Sequence, residues 1–300
     1  MIKKTLYFGS PGYLSLERSQ LHIQKREAHD ISEHTRPIED IGVVILDHPQ
    51  ITITHGLIRA LQENKAVILS CNEQHLPHSI ISPLVGHSEQ SKRYRVQLSA
   101  SEPLRKRLWQ QTIRAKVENQ SRLLETVGAD NNRLTVLRKR VKSGDPDNIE
   151  GQAAAFYWPA LLDDFIRDRY GEAPNGLLNY GYAILRSIVA RALISSGLHL
   201  SLGIHHKNKY NPLCLADDIM EPFRPFVDLL VYEMFVEQGI ADTLSKQAKK
   251  RLLSIPQLDG LFKRKRRPLL VGIAQTTASV FSCYEGSLRK IVYPKIPLRA

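Results

Sequence analysis

Short apolar runs fill the first 85 residues, and their spacing restricts the folds open to this part of the chain. Leu14 and Leu16 alternate with polar residues at the period of two that a half-buried strand requires. Residues 41–46 are apolar apart from one glycine, which is typical of a buried strand. Turn-forming residues separate these runs, so we predict a β-rich, sandwich-like domain over residues 1–85.

The spacing changes beyond Pro103, where apolar residues recur at helical intervals. Trp109, Ile113 and Val117 follow this period in the first such stretch. A larger, all-helical domain is therefore predicted over residues 101–285, which makes the chain α+β. Further helical stretches are predicted at 132–143, 150–170, 177–196, 216–238, 240–253 and 269–285.

Two segments show neither pattern. Residues 86–100 follow a stretch rich in proline, glycine and serine, and we predict that they form a linker. Residues 286–300 combine basic residues with prolines, and we predict a flexible tail.

Charge is distributed unevenly along the chain, whose net charge is +12. Residues 1–90 hold 8 basic and 10 acidic residues, a net charge of −2. Residues 91–300 hold the other 34 basic and 20 acidic residues, a net charge of +14. A basic domain beside a near-neutral one favours a polyanionic partner such as nucleic acid for the second part, although a general solubility charge would look similar.

Several classes of protein are disfavoured. No uninterrupted apolar run approaches the roughly 20 residues that span a bilayer, and the first residues do not resemble a signal peptide, so we expect a cytoplasmic protein without a membrane partner. The three cysteines are far apart and form no CxxC pair, which argues against a zinc ribbon or a disulfide framework.

The densest group of chemically active side chains lies between residues 203 and 228. Asp218 and Glu221 are three residues apart, so both carboxylates lie on one helical face, with Arg224 a further three residues along. His205 and His206 precede them in a polar loop. Each feature has an ordinary structural explanation: helix-dipole acids, a salt bridge and solvated histidines. Their concentration within one short stretch makes a functional cluster the stronger interpretation.

A metal centre with open positions needs about three protein ligands, so one further residue is required. Glu150 is the best candidate, because small residues follow it and allow another helix or a DNA backbone to approach. A simple acid at a helix N-terminus is the alternative interpretation. Carboxylates mixed with imidazole suit Mn²⁺ or Mg²⁺ better than zinc.

Five consecutive cations precede Pro268, and they form either a phosphate-contacting strip or a solvated loop. Four more cations between residues 246 and 251 favour the phosphate contact. The predicted DNA-binding residues of this strip are Lys263, Arg264, Lys265, Arg266 and Arg267.

Four segments of the helical part resemble the CRISPR-associated integrase family, known as CRISPR-associated protein one, in the form found in type II systems. They are KVENQSRLL (116–124), IEGQAAAFYW (149–158), LLNYGYAILRS (177–187) and GIHHKNKYNPLCLADDIMEPFRPFVD (203–228). They occur in the family's order, and IEDIG (38–42) in the β-rich part also fits. The resemblance covers nearly the whole chain.

This resemblance implies a site and a set of partners. The family's Glu, His and acidic metal ligands correspond to Glu150, His206 and Glu221, with His206 chosen by aligning the loop backwards from Glu221. The partners implied are double-stranded DNA, both the captured fragment and the repeat array, a second copy of the chain, bound through the β-rich domain, and a small ferredoxin-like companion, CRISPR-associated protein two. The resemblance also places supporting roles on His205, Asp218, Arg224, Asn179 and Tyr180, and a DNA contact on Lys116.

The reaction implied is insertion of captured DNA at the repeat. A 3′-hydroxyl attacks a phosphodiester and displaces another 3′-hydroxyl, and water in place of the incoming hydroxyl turns the same site into an endonuclease. Two other functions fit the residues: a non-catalytic nucleic-acid-binding protein, and a general metal-dependent repair nuclease acting on branched DNA.

Overall fold

The computed structural model describes residues 3–27, 30–73, 75, 77–168, 170–237, 239 and 244–298. The chain divides into two compact units, Met1–Gly86 and His87–Ala300. The mixed α+β class predicted from the sequence is confirmed.

The first unit contains two four-stranded sheets. Its elements are β1 (Lys4–Phe8), β2 (Gly12–Glu17), β3 (Gln20–Glu27), β4 (Asp30–Pro37), β5 (Ile41–Leu46), β6 (Ile51–Ile53), α1 (His55–Glu63), β7 (Val67–Cys71) and β8 (Pro77–Ile81). The strand orders are β1-β5-β7-β8 and β4-β3-β2-β6. Strands β1, β5 and β7 run parallel, whereas β2, β3 and β4 form an antiparallel meander.

Apolar residues of both sheets and of α1 share one core in this unit. Ile41, Leu14 and Leu57 belong to the same buried cluster, although they lie on β5, β2 and α1. Strand β5 is buried along most of its length because both of its neighbours are parallel strands covered by other elements. Thr54 caps α1 as expected, since its hydroxyl accepts from the backbone N–H of Leu57 at 3.4 Å.

The second unit is predominantly helical. Its helices are α2 (Gln90–Leu98), α3 (Glu102–Thr126), α4 (Asn132–Arg140), α5 (Ile149–Leu161), α6 (Asn175–Ser195), α7 (Cys214–Met220), α8 (Arg224–Tyr232), α9 (Lys246–Leu252) and α10 (Leu269–Tyr284). Single turns of 3₁₀ or π helix lie at Glu221–Phe223, Glu233–Glu237 and Ile255–Gln257. The prediction of an all-helical domain over residues 101–285 is wrong at residues 259–268, where a hairpin of β9 (Asp259–Phe262) and β10 (Lys265–Pro268) precedes α10.

Helix α6 is long and apolar enough to cross a membrane by length and composition alone. Two thirds of its most apolar window, 67%, is buried inside the protein, where it packs against α7, α8 and α10. Burial of that kind is typical of the central helix of a folded core rather than of a lipid-facing span.

The linker predicted over residues 86–100 is wrong, because this segment contains helix α2 and packs on the second unit. Gln97 is buried, and its side-chain amide donates to the carbonyls of His199 and Leu202 at 3.0 Å. Arg93 donates to the carbonyl of Ser196 at 2.9 Å. Helix α2 was not predicted because its sequence is polar and has no apolar stripe. Its side chains attach it to the second unit by hydrogen bonds to backbone carbonyls instead.

The flexible tail predicted over residues 286–300 is also corrected for the part described, which ends at residue 298. Ile291 and Ile296 are buried. The backbone N–H of Ile296 donates to the Asn119 side chain at 3.1 Å, and Leu261 and Lys295 exchange two backbone hydrogen bonds at 2.8 and 3.0 Å. The described part of the tail is therefore packed on the second unit and held by hydrogen bonds to Asn119 and Leu261.

Two predicted helices end earlier than their apolar pattern suggests. The stretch 150–170 is helical only to Leu161, and 216–238 is interrupted at Glu221, where Pro222 and Pro225 remove backbone donors. The predicted helix 240–253 begins at Lys246, and its residues 240–243 lie outside the described part of the chain.

Candidate active site

The ammonium group of Lys116, in the middle of α3, joins two glutamates that are distant in the sequence. Its Nζ lies 2.6 Å from Oε1 of Glu150 and 2.6 Å from Oε2 of Glu221. The Lys116 side chain is only 12% exposed, so both carboxylates meet a buried cation. The sequence predicts Lys116 as a contact for DNA, whereas the structure places it against the two carboxylates.

Glu150 is held by the cap of helix α5. The carboxylate of Asp145 accepts from the backbone N–H groups of Ile149 and Glu150 at 2.9 and 3.0 Å. Asn148, in left-handed conformation with φ +47°, accepts from the N–H of Gly151 at 3.2 Å. These bonds satisfy the free N–H groups of the first turn, so the position of the Glu150 backbone is fixed.

Glu221 lies at the break between α7 and α8 and is almost fully buried. Burial alone would raise the pKa of its carboxyl, but the adjacent Arg224 and Lys116 outweigh that effect and lower the pKa to about 2. Arg224 donates from Nε to Oε1 of Glu221 at 2.7 Å. Glu221 is therefore ionised throughout the neutral range and available as an oxygen ligand.

His206 is oriented by Asp218, a fully buried acid on α7. The ring nitrogen Nδ1 of His206 lies 2.5 Å from Oδ1 of Asp218. The same carboxylate accepts from the backbone N–H groups of Ile204, His205 and His206 at 2.6, 2.9 and 3.2 Å. One carboxylate thus fixes both the loop and the ring, and leaves Nε2 as the nitrogen that would reach a ligand.

The environment of His206 is acidic. The hydrogen bond to Asp218 raises the pKa of His206, and the charges of Asp218, Glu221 and Asp217 act in the same direction against the opposing effect of burial. The side chain is 44% exposed, so a substrate can reach it. It lines a cleft of about 800 Å³ whose other residues include the cations Arg105, Lys207 and Lys209.

His205 has a different role from its neighbour. Its ring stacks flat on Trp109, with centroids 4.2 Å apart and planes 2° from parallel. Trp109 also meets His206 edge-on, with centroids 5.8 Å apart. The pair is therefore asymmetric: His205 packs the loop against α3, and His206 faces the acids.

Two other predicted supporting residues lie on α6. Asn179 accepts from the guanidinium of Arg167 at 2.6 Å. Tyr180 is fully buried, and the ammonium of Lys249 lies 5.9 Å from the centre of its ring. Both residues anchor neighbouring segments onto α6.

A buried carboxylate behind the site escaped the sequence interpretation. Asp228, on α8, accepts from the hydroxyl of Tyr157 at 2.8 Å and from that of Tyr182. Burial raises its pKa to about 6. The guanidinium of Arg224 lies 4.6 Å from the centre of the Tyr182 ring, so this group supports the arginine that holds Glu221. The sequence signal that could have revealed Asp228 is a single acidic residue within an otherwise apolar stretch of helix.

Asn119, one helical turn beyond Lys116, was also missed as a site residue. Its amide donates to the carbonyls of Pro222 and Pro294 at 2.7 and 3.1 Å, so it fixes the backbone next to Glu221.

The structure brings Glu150 and Glu221 together on the Lys116 ammonium. His206 lies near enough to Glu221 for the Glu221 charge to raise the pKa of His206. Within the described residues, no three His, Cys, Asp or Glu side chains already form a metal cluster. The carboxylates and the imidazole nevertheless match the oxygen-rich donor set that Mg²⁺ or Mn²⁺ accepts.

Comparison with known proteins places this arrangement in context. The sequence model of the family described as CRISPR associated protein Cas1 matches residues 6–257. A CRISPR-associated endonuclease Cas1 from Neisseria meningitidis serogroup C (strain 8013) is 37% identical over 281 residues, which are 93% of this chain and 91% of that relative.

Two solved structures share the fold. A casposase bound to integration product has a TM-score of 0.80 at 20% identity, covering 97% of this chain and 92% of that chain. A Cas6-RT-Cas1–Cas2 complex has a TM-score of 0.73 at 20% identity, covering 96% of this chain and 36% of that chain.

Proposed function

This chain belongs to the CRISPR-associated Cas1 protein family, and we propose that it is the DNA endonuclease and integrase that inserts captured DNA at a CRISPR repeat by 3′-hydroxyl transesterification. The observation that carries the proposal is the meeting of Glu150 and Glu221 on the single buried ammonium of Lys116. Two carboxylates that meet on one cation supply two of the roughly three protein ligands that a divalent ion with open positions takes.

Glu150, Glu221 and Nε2 of His206 are the groups that would hold Mg²⁺ or Mn²⁺. A bound divalent ion supplies Lewis acidity and a template for the scissile phosphate. The fit rests on the donor set: one carboxylate kept ionised by Arg224, a second at a capped helix start, and an imidazole whose other nitrogen is bound by Asp218.

In the transesterification, the oxygen of an incoming 3′-hydroxyl forms a bond to phosphorus while the bond to the departing 3′-oxygen breaks. The incoming hydroxyl loses a proton and the departing oxygen gains one, so one phosphodiester replaces another and no nucleotide cofactor is consumed. His206 can exchange a proton only through Nε2, because Nδ1 is bound to Asp218. The cap of α5 at Glu150 and the hydrogen bonds of His206 to Asp218 hold these two residues in place during the exchange.

The partners proposed are double-stranded DNA, a second copy of this chain and a small companion of the Cas2 type. The net charge of +14 over residues 91–300 supports a DNA partner. The similarity in fold to a casposase bound to integration product and to a Cas6-RT-Cas1–Cas2 complex supports the DNA and companion assignments.

Substitution of the two glutamates tests the proposal. Glu150→Gln and Glu221→Gln should each reduce strand transfer into a supercoiled repeat plasmid by about 10²-fold or more, because each removes a charged ligand from the reacting centre. Duplex DNA binding should remain within about threefold of the unsubstituted chain, since the basic surface supplies it. The assay is run with the companion protein in Mg²⁺, in Mn²⁺ and in chelator.

Glu102→Gln is the matched control, because Glu102 pairs with Lys106 on the exposed start of α3. It should integrate normally. Normal integration by either site variant would refute the assignment. Equal activity on a repeat-free plasmid would instead indicate a general repair nuclease, and no transfer by the unsubstituted chain would indicate a DNA-binding protein.

A further inference from the structure

The turn between β9 and β10 holds two consecutive cations in the left-handed region of backbone space. Lys263 has φ +47° and Arg264 has φ +68°. A two-residue hairpin turn with both central residues at positive φ normally contains Asn-Gly, because other side chains clash with the backbone there. The chain therefore keeps two charged side chains at a position where they oppose the backbone preference.

The base of this hairpin is rigid. Phe262 is buried, and its ring lies against Gly272 of α10, where even an added Cβ would overlap it. Leu261 is bonded through its backbone to Lys295 on one side and is paired with Arg266 on the other. The tip therefore presents its charges from a fixed platform rather than from a mobile loop.

The charges on the hairpin are not balanced by any carboxylate in the described part of the chain. Four of the five consecutive cations are exposed, and Arg267 is half-buried. Over the described ranges, no carboxylate lies within ion-pair distance of any residue between Lys263 and Arg267. Other basic side chains of this unit do have such partners, as Arg138 has in Glu118. Among the described residues, the hairpin cations are therefore left open to an anionic partner.

Protection of the sheet edge is the competing explanation. Strand β10 is an edge strand, and cations on an edge prevent unwanted pairing with another chain. That explanation covers Lys265 and Arg266, which lie in the strand. It does not cover Lys263 and Arg264, which lie in the turn and have no ion-pair partner among the residues that the structure describes.

We propose that Lys263 and Arg264 form a phosphate-binding tip that contacts the backbone of duplex DNA independently of its base sequence. Lys263 and Arg264 combine a strained backbone conformation with an exposed charge. This combination supports a binding role, since strained residues concentrate at functional sites. The proposal deepens the proposed integrase function, because it assigns part of the DNA-holding surface to one rigid element.

The double variant K263N/R264G tests the tip directly, because Asn-Gly is the sequence that this turn prefers. Its melting temperature should stay the same or rise by about 2 °C or more as the strain is relieved. Its affinity for a short mixed-sequence duplex should fall on the order of tenfold or more at about 100 mM salt. The slope of log affinity against log salt should become shallower by about 2, one phosphate contact for each residue removed.

Two control variants isolate the charge from the backbone. Arg18 and Ser19 form a second turn with φ +47° and +61°, between β2 and β3, so R18N/S19G relieves the same kind of strain elsewhere and should leave DNA binding unchanged. K263R/R264K keeps both charges and should bind DNA as the unsubstituted chain does.

Unchanged DNA affinity and an unchanged salt slope in K263N/R264G would overturn the proposal that the tip binds phosphate. A marked loss of stability in that variant would overturn it as well, because the two residues would then be structural. Strand transfer by the unsubstituted chain is measured in parallel, so failure of the integrase function is seen separately from failure of the tip.

Discussion

At the scale of single residues, Lys116 determines how the two glutamates of the site are held together. Two neighbouring carboxylates repel each other unless a cation lies between them, and the Lys116 ammonium is 2.6 Å from both the buried Glu221 and the partly buried Glu150. The pKa of Lys116 is raised because Glu221 and Glu150 together outweigh the opposing effect of burial. A divalent ion bound by the same oxygens must therefore compete with this side chain.

Lys116→Gln should strengthen binding of Mn²⁺ to the isolated chain, because it removes the competing charge. We expect the dissociation constant to fall on the order of tenfold, measured by calorimetric titration. The same variant should unfold at a lower temperature without metal, since Glu150 then loses its cation and Glu221 keeps only Arg224. Lys106→Gln, on the exposed face of α3, is the control and should change neither value. Equal or weaker Mn²⁺ binding by Lys116→Gln would contradict the competition.

At the scale of elements, hydrogen bonds join helices α5, α6 and α8 behind the candidate site. Asp228 of α8 receives the hydroxyl groups of Tyr157 from α5 and Tyr182 from α6. The tyrosine on α6 in turn carries the guanidinium of Arg224, which binds Glu221. A buried polar group of this kind specifies one packing of the helices, because any other packing leaves the carboxylate without its donors.

This carboxylate should give the stability of the protein a defined dependence on pH. Burial raises the pKa of Asp228 from 3.8 to about 6, so the folded state binds its proton more tightly than the unfolded state. Its contribution is fully present below about pH 4 and is lost as pH rises through about 6. Between those values the free energy of unfolding should fall by about 3 kcal/mol relative to Asp228→Asn, measured by urea denaturation. Parallel pH profiles for the two proteins would contradict this role, and Asp259→Asn, an exposed acid, should follow the unsubstituted profile.

Element boundaries differ from the sequence pattern where polar groups replace apolar ones. Helix α2 has no apolar stripe, yet it is fixed by Gln97 and Arg93 bound to backbone carbonyls. The break at Glu221 follows from Pro222, and the spacing of apolar residues does not predict it. At this break the Glu221 carboxylate contacts the Lys116 ammonium at 2.6 Å.

At the scale of the whole molecule, acidic groups whose charge is compensated and basic groups whose charge is left open lie in different parts of the chain. The acids of the candidate site, Glu150 and Glu221, are compensated by Lys116 and Arg224, whereas the hairpin cations lack internal partners among the described residues. DNA binding and metal chemistry should therefore be separable.

Removal of divalent ions with a chelator should abolish strand transfer without releasing duplex DNA. Binding should instead weaken with salt, by on the order of tenfold or more between about 50 and 200 mM, because phosphate contacts release counterions. A filter-binding or anisotropy titration at several salt concentrations, with and without chelator, measures both effects. Loss of DNA binding in chelator at low salt would show that the metal site, rather than the basic surface, holds the DNA.

The sequence by itself determined the α+β class, the basic character of the second part and the identity of the candidate ligands. These properties follow from residue type and from the local period of apolar side chains, both of which are visible along one dimension. The tertiary structure alone decided that Lys116 lies between Glu150 and Glu221, that Asp218 organises the His206 loop, and that residues 86–100 and 286–298 are packed rather than loose. Such contacts join residues far apart in the chain through hydrogen bonds and charge, and neither leaves a periodic signal in the sequence.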